Sequence, residues 1–251
     1  MSAALLDRFP EVDPRDPAAI LAAARVAIDG RIVFTTSFGL EDQVITHLIA
    51  SAGFAIDIAT IDTGRLFAET YEVWARTEER YGLRIRSVHP DADGLATLLD
   101  AQGVNGFYAS VAARKACCET RKVVPLGHML AGTSAWVTGL RADQSGTRAV
   151  VSPWSRDEAR NILKVSPLAG WSRAEAVAFA DRHDVPRNAL HAQGFLSIGC
   201  APCTRAVAPG EPERAGRWWW ETEAGGECGL HVGPDGRLVR SRAPAAEEVP
   251  A

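Results

Sequence analysis

Short apolar segments alternate with helical segments along most of this chain of 251 residues, and this alternation restricts the folds that it can adopt. Residues 31–37 are rich in β-branched and apolar side chains, as buried parallel strands are, and a helical stretch that ends at Gly53 follows. A second strand that ends near Ile61 and a helix over residues 69–81 repeat the scheme. The pattern predicts an α/β fold with a doubly wound, mostly parallel sheet.

The pattern continues towards the C-terminus. Strands are predicted in LRIRSVHP, in residues 134–140 and in NILKVSPL. A capping box of Ser172 and Glu175 predicts the start of a helix that ends before Pro186.

These elements suggest a division of the chain into four parts. The parts are a helical N-terminal segment (1–30), an α/β domain (31–210), a mobile tail (211–239) and a disordered end (240–251). The end is expected to be disordered because it is rich in Ala, Glu and Pro and shows no apolar period.

The composition excludes several classes of protein. A formal net charge of -4 argues against a nucleic-acid partner, since such proteins carry a strongly basic face. No apolar run approaches the ~18 residues that a membrane span needs, and the first residues lack the pattern of a signal peptide. We therefore expect a cytoplasmic protein, in which paired cysteines act as ligands or redox groups rather than as structural disulfides.

Three polar loops follow predicted strands and should meet at one edge of the sheet, where ligands bind in this fold class. They are TSFGLED, DTGR and RADQSGTR. The first offers the hydroxyls of Thr36 and Ser37, together with Gly39, in front of a helix N-terminus that attracts anions. Each loop alone is more typical of an ordinary turn, but three on one edge favour a nucleotide.

The five cysteines form two close pairs and one single residue. Cys117 and Cys118 are adjacent, Cys200 and Cys203 form a C-x-x-C motif, and Cys228 stands alone near the C-terminus. The C-x-x-C motif fits zinc, an iron–sulfur cluster or a thioredoxin-like redox pair. The adjacent pair favours the cluster, because neighbouring side chains on a helix diverge by ~100° and suit a cubane better than one zinc ion. Alternatively, the four paired cysteines are simply buried residues of the hydrophobic core.

The positively charged and aromatic residues near these cysteines allow two interpretations each. Lys122 would share a helix face with Cys118 if the helix continued, and would otherwise be a solvated surface residue. Trp218, Trp219 and Trp220 could stack on nucleic-acid bases, but packing against the tail fits an acidic protein better.

Longer motifs show a resemblance to a known family. CCETRK, GCAPCTRAV, ERAGRWWWE and GECGLH resemble the assimilatory adenylylsulfate (APS) reductases, the iron–sulfur branch of the PAPS/APS reductase family, and IDTGRLFAET and TGLRADQSGTR match as well. The resemblance covers residues 34–232. It implies the fold of the PP-loop ATP pyrophosphatases, APS as substrate and a [4Fe-4S] cluster held by Cys117, Cys118, Cys200 and Cys203. This chain has SFGLED where ATP pyrophosphatases carry SGGxDS, which lowers the expectation of ATP cleavage.

The resemblance also implies a reaction. The Cys228 thiolate would attack the sulfur of APS and expel AMP, and thioredoxin or a glutaredoxin-like reductant would release sulfite from the resulting S-sulfonate. His231 is expected beside this thiolate. The residues expected to bind substrate are Thr36, Ser37, Gly39, Asp62, Thr63, Gly64, Lys122, Gly139, Arg141, Arg148, Arg214 and Arg217.

Three other functions remain open. A PAPS reductase would act on the 3′-phosphorylated nucleotide, and a PP-loop tRNA-thiolation-type enzyme would use ATP and show a basic surface. A redox sensor would need only the cluster and a reactive thiol. A homo-oligomer is also possible.

Overall fold

The computed structural model describes residues 11–142 and 151–221, in which six strands form one sheet. The strands are β1 (Ile32–Thr36), β2 (Asp57–Ile61), β3 (Arg86–Val88), β4 (Ala135–Val137), β5 (Trp154–Asp157) and β6 (Ile162–Val165). Their order is β3-β2-β1-β4-β6-β5, and all neighbours are parallel except β5 and β6. The predicted α/β fold with a mostly parallel sheet is confirmed.

Seven α-helices connect or flank these strands in the described residues. They are α1 (Pro17–Ala27), α2 (Leu40–Ala52), α3 (Ala68–Tyr81), α4 (Ala92–Gln102), α5 (Val111–Cys118), α6 (Val124–Leu130) and α7 (Arg173–Arg182). Gly53 and Gly82 end α2 and α3 in the left-handed conformation that favours glycine. The capping box of Ser172 and Glu175 begins α7 as predicted. No helix in the described part of the chain has both the length and the apolar character that a membrane span requires.

The alternation of side chains along the central strands divides the core between two layers. Phe34 and Val137 pack on the face that α1, α2 and α7 cover, whereas Val33 and Trp136 pack on the opposite face against Leu126 and other residues of α6. Helices therefore cover both faces, which is why the strands appear in the sequence as nearly continuous apolar runs. The sheet is doubly wound, as expected.

The order of the strands reverses between β1 and β4. The chain passes from β1 to β2 and β3 on one side of the sheet, and β4 then pairs with the other side of β1. Loops that leave neighbouring strands in opposite directions open a crevice at the carboxyl ends of those strands. The fold thus creates a site for a ligand beside the loop that follows β1.

Phe38 gives this loop an unusual backbone. Its φ is 60°, in the left-handed region that non-glycine residues seldom occupy, and its side chain is buried. The ring stacks on Trp74, with centroids 5.4 Å apart, and Trp74 stacks in turn on Tyr71. Burial of the aromatic ring stabilises a strained turn between β1 and α2.

Residues 211–221 pack onto the α/β domain, although the sequence suggested that the tail begins at residue 211. Trp218 is buried, and Arg217 forms an isolated β-bridge with Thr204. The carboxylate of Glu221 accepts hydrogen bonds from Nε and Nη2 of Arg114, at 2.7 and 2.9 Å. The packed structure therefore extends to Glu221, and the rest of the predicted tail lies outside the described residues.

The Arg114–Glu221 pair predicts a measurable effect on stability. The side chains are only 2% and 6% exposed, so Glu221→Ala leaves a buried guanidinium without its carboxylate. We expect the free energy of unfolding in urea to fall by about 3 kcal/mol. Glu211→Ala, which removes a more exposed pair with Arg205, should change it far less. Equal effects of the two variants would contradict a structural role for the Glu221 pair.

Candidate functional site

A cavity lies beyond the carboxyl ends of β1 and β2, at the predicted edge of the sheet. Residues from the loops after both strands line it together with residues near the C-terminal end of the described chain. Among them are several that were predicted to bind substrate, namely Thr36, Ser37, Gly39, Thr63, Lys122, Arg214 and Arg217. The fold therefore gathers residues that lie far apart in the sequence around one space.

The loop after β1 forms hydrogen bonds with Asp42, an acidic residue in the first turn of α2 that the sequence analysis did not select. Oδ2 of Asp42 accepts hydrogen bonds from the backbone N–H of Ser37 at 2.6 Å and from the Ser37 hydroxyl at 2.7 Å. Gly39 is the N-cap of α2 and contributes no side-chain cap. The turn at the start of α2 therefore binds an internal carboxylate.

Burial changes the acidity of this carboxyl group. Desolvation raises the pKa of Asp42 from 3.8 to about 6; the hydrogen bonds from Ser37 oppose this rise, and the neighbouring Glu41 adds to it. Asp42 therefore carries its charge at neutral pH in an environment that disfavours it.

Gly139 and Arg141, two predicted substrate ligands, lie behind the same loop. A Cβ atom at Gly139 would lie 2.3 Å from Oδ1 of Asp42, so the position leaves room only for glycine. Arg141 is fully buried, and its guanidinium binds Glu41 at 2.8 Å and Glu213 at 3.0 Å. These two residues support the acidic side of the cavity.

The DTG loop after β2 has two roles. Asp62 accepts hydrogen bonds from the backbone N–H of Gly64 and from the Tyr71 hydroxyl, both at 2.8 Å, and so caps the turn. Thr63 faces the cavity, and its Oγ1 lies 3.3 Å from Sγ of Cys200. This contact joins the loop to the cysteines.

Two positively charged residues of the cavity lie near a cysteine. Lys122 and Arg217 act on the Cys200 thiol by their charge, and both line the cavity, as does Arg214. A Cβ atom at Gly199 would lie 2.2 Å from Nη2 of Arg217, so this glycine allows the guanidinium to approach the backbone closely. An anionic group of a ligand is therefore best stabilised at this end of the cavity.

All four paired cysteines line a second, smaller cavity next to the first. Cys118, Cys200 and Cys203 are buried in one cluster with Phe107 and Trp218, and Cys117 packs at its edge. All four are free thiols. Lys122 and Cys200 line both cavities, so the two spaces share a wall.

Backbone hydrogen bonds fix the C-x-x-C turn. The N–H of Ala201 donates to the carbonyl of Arg65 at 2.8 Å, and the N–H of Trp218 donates to the carbonyl of Cys203 at 3.2 Å. The Tyr108 hydroxyl donates to the carbonyl of Pro202 at 2.7 Å. Loops from three parts of the chain therefore hold this turn in place.

The helix that carries the adjacent cysteines does not continue as a regular α-helix. A π-helical turn over Glu119–Val123 follows Cys118 and leads into α6. Lys122 lies within this turn, and it lines the same cavity as Cys118. The sequence suggested an α-helical spacing here; a π turn, which often occurs at functional sites, takes its place.

The surroundings give the cysteines different acidities. Burial raises the pKa of Cys200, but the Lys122 ammonium and the hydrogen bond from Thr63 outweigh it, and the pKa is lowered overall. Burial and the nearby Cys200 raise the pKa of Cys203 to about 12. Burial also raises the pKa of Cys117, against the effect of Arg121.

The arrangement of the thiols can be tested against the cofactor that the sequence predicts. Within residues 11–142 and 151–221, no three His, Cys, Asp or Glu side chains are close enough together to hold a single metal ion. The four thiols nevertheless surround one cavity, and cysteine thiolates are the ligands of iron–sulfur clusters. Trp218 and Trp220 pack against the cysteines. Their indole N–H groups are buried and have no hydrogen-bond partner among the described residues. The donor set fits a [4Fe-4S] cluster.

Three predicted site residues lie outside the described residues. They are Cys228, His231 and Arg148. Their positions relative to the two cavities stay a prediction.

Sequence reasoning also missed residues that line the main cavity. Glu41, Asp42 and Glu213 form its acidic side; the first two stand in the SFGLED motif, where acidic residues in the first turn of a helix were a usable signal. His191, which no motif singled out, also lines the cavity. Its Nδ1 lies 2.7 Å from the carbonyl of Phe195, so Nδ1 carries the proton and Nε2 is an acceptor. Nothing in the sequence around His191 indicated this position.

The raised pKa of Asp42 predicts a dependence of stability on pH. The native state binds this proton more tightly than the unfolded state, so Asp42 lowers the free energy of unfolding as pH rises from about 4 to about 6. Asp42→Asn should therefore gain stability relative to the wild type across this window, up to about 3 kcal/mol above pH 6. Urea unfolding at a series of pH values measures the difference. Parallel profiles of the two proteins would contradict the prediction.

Comparison with known proteins agrees with this geometry. Residues 31–206 match the family model of the phosphoadenosine phosphosulfate reductase domain. A protein of Agrobacterium fabrum named adenosine 5′-phosphosulfate reductase is 51% identical over 205 residues, which cover 82% of this chain and 79% of the relative. A protein of the same name from Allochromatium vinosum is 51% identical over 218 residues, covering 86% and 85% of the two chains.

Solved structures give the same fold. The crystal structure of phosphoadenylyl-sulfate reductase from Candida auris, in a phosphate complex, superposes with a TM-score of 0.68 at 24% identity and covers 82% of this chain and 98% of its own. Yeast FAD synthetase is similar more remotely, with a TM-score of 0.50 at 16% identity, covering 81% and 73%. On the family match and the identity to its relatives, the chain belongs to the phosphoadenosine phosphosulfate reductase family.

Proposed function

We propose that this protein reduces adenylylsulfate to sulfite and AMP, with thioredoxin as the electron donor. The observation that carries the proposal is the shared wall of the two cavities. Lys122 and Cys200 line both the cavity at the strand ends and the cavity surrounded by the four thiols. A nucleotide bound at the strand ends would thus present its anionic end beside the cysteines.

The names of the relatives support the choice of substrate. Proteins at 47–51% identity that cover most of this chain are named adenosine 5′-phosphosulfate reductase. The neighbour named phosphoadenylyl-sulfate reductase is 24% identical. We therefore favour APS over its 3′-phosphorylated form, and over the ATP that a tRNA-thiolation-type enzyme would use.

The binding step follows from the charges of the main cavity. The phosphate and sulfate of APS would lie towards Lys122, Arg214 and Arg217, since these cations line the cavity. Planar guanidinium groups bind two oxygens of such anions at once. His191 could accept a hydrogen bond from the nucleoside through Nε2.

The chemical step would use the single cysteine in the tail. The Cys228 thiolate forms a bond to the sulfur of APS, the bond between that sulfur and the bridging oxygen breaks, and AMP leaves with the electron pair. A thioredoxin thiolate then attacks Sγ of Cys228 and expels sulfite, which carries away the electron pair. The second thioredoxin thiol breaks the mixed disulfide and restores Cys228. Thioredoxin is oxidised to its disulfide while sulfate is reduced to sulfite.

The four paired cysteines would hold a [4Fe-4S] cluster, consistent with their common cavity. When bound, the cluster would fix the position of Lys122 beside the sulfate, without a change in its own oxidation state. Arg65, Arg114, Arg121 and Lys122 line the same cavity and would offset the charge of the ligand thiolates. We further propose that the protein acts in the cytoplasm, where thioredoxin keeps such thiols reduced, and that the sulfite serves cysteine biosynthesis.

Labelled APS gives a direct test of the reaction. Incubation with APS labelled in its sulfur should leave label on the wild-type protein, and added thioredoxin should release it as sulfite. Cys228→Ser should abolish the labelled adduct and keep the brown colour of the cluster, whereas Cys200→Ser should bleach the colour. An adduct that persists in Cys228→Ser would refute the assignment of the nucleophile.

Lys122 allows a test of the shared wall. Lys122→Gln removes a cation between the two cavities, so we expect the KM for APS to rise by about tenfold or more, as loss of a charge-assisted hydrogen bond does. Lys115→Gln, on the exposed side of α5, is the matched control and should leave KM unchanged. Equal KM values for both variants would remove Lys122 from the substrate site.

A further inference from the structure

The start of α2 lies where this class of fold normally binds an external anion. The helix follows β1 directly at the switch in strand order, and backbone N–H groups at such a position attract phosphate. In this chain the N–H and the hydroxyl of Ser37 both donate to Oδ2 of Asp42. The protein's own carboxylate therefore occupies part of the anion-binding turn.

The neighbouring backbone accommodates this carboxylate. Gly139, which follows β4, lies so close to Asp42 that any side chain there would collide with it, since a Cβ atom would lie 2.3 Å from Oδ1. The Cβ atom of Glu41 would lie 3.2 Å from the same added atom. The loops after β1 and β4 are thus shaped around the two acidic residues.

The guanidinium groups near this turn already bind carboxylates of the protein. The guanidinium of Arg141 binds the carboxylates of both Glu41 and Glu213, and Arg173 lies 3.7 Å from Glu213. An additional phosphate at the start of α2 would meet Asp42 at hydrogen-bond distance and would compete with Glu41 and Glu213 for these guanidinium groups. Lys122 and Arg217 lie near Cys200, which lines the same cavity.

We propose that Asp42 is a specificity-determining residue, whose carboxylate takes the place of a ligand phosphate at the start of α2 and excludes pyrophosphate and nucleotides with a longer phosphate chain. The inference rests on the proposed function only in taking the main cavity as the nucleotide site. It explains how a fold that can bind ATP would reject ATP in favour of a nucleotide with a single phosphate. Repulsion between like charges, rather than a lack of space, produces the selection.

Binding of inorganic pyrophosphate and of ATP tests this directly. Asp42→Ser keeps a hydrogen-bonding side chain and removes the charge, and Asp42→Asn removes the charge at constant size. By isothermal titration calorimetry near pH 8, both variants should bind pyrophosphate and ATP at least about tenfold more tightly than the wild type does. Asp91→Ser, at the N-cap of α4, is the matched control for loss of an acidic residue at a helix start and should leave both affinities unchanged.

The outcomes separate this inference from the proposed function. Unchanged affinities in both Asp42 variants, with thermal unfolding showing that either one is folded, would overturn the inference even if APS labels the protein. An equal gain in affinity in Asp91→Ser and in the Asp42 variants would also overturn the inference, because the change in net charge alone would then explain the gain. Tighter pyrophosphate binding in a protein that fails to react with APS would support the role of Asp42 and refute the reductase.

Discussion

Contacts between distant segments of the chain hold the four paired thiols, the main cavity and residues 211–221 in one packed unit. Sγ of Cys200 lies beside the Thr63 hydroxyl of the loop after β2, and the carbonyl of Cys203 accepts the N–H of Trp218. Arg114, on the helix of the adjacent cysteines, binds Glu221 at the end of the described chain. A movement of any of these segments would disturb the others, so the geometry of the cysteines and that of the main cavity depend on each other.

The main cavity combines this packing with a separation of charge. Glu41 and Asp42 lie in the first turn of α2, while Lys122 and Arg217 lie near Cys200. Glycine lets the backbone approach a charged side chain closely in two places, at Gly139 beside Asp42 and at Gly199 beside Arg217. A nucleotide with one anionic end would therefore enter a field that favours a single orientation, with that end towards the thiols.

Local patterns in the sequence predicted individual strands, helix ends and helix caps. The strands around residues 32–36 and 57–61, the glycine ends of α2 and α3 and the capping box of α7 all follow from side-chain period and cap chemistry. The strand β5 was missed, because this antiparallel edge strand, WSRD, is short and polar and shows no apolar run. The π turn over Glu119–Val123 was missed as well, because no local signal distinguishes this turn from the α-helix on either side of it.

In the site, too, the sequence predicted individual residues but not the contacts between them. Motifs in the sequence identified residues such as Thr63 and Lys122, which do line the cavity. The partners of those residues depend on tertiary structure, and no sequence motif indicated that Arg141 binds Glu41 and Glu213. The acidic side of the cavity forms only where the fold brings the loops after β1 and β4 together.

Phe38 has a consequence for the entropy of ligand binding. A glycine would adopt its positive φ without strain, but it would also let the loop sample many conformations before a ligand arrives. The stacked rings of Phe38, Trp74 and Tyr71 restrict that sampling in advance. Less conformational freedom would then be lost on binding of a ligand, so the rigidity of these stacked rings would set part of the binding free energy.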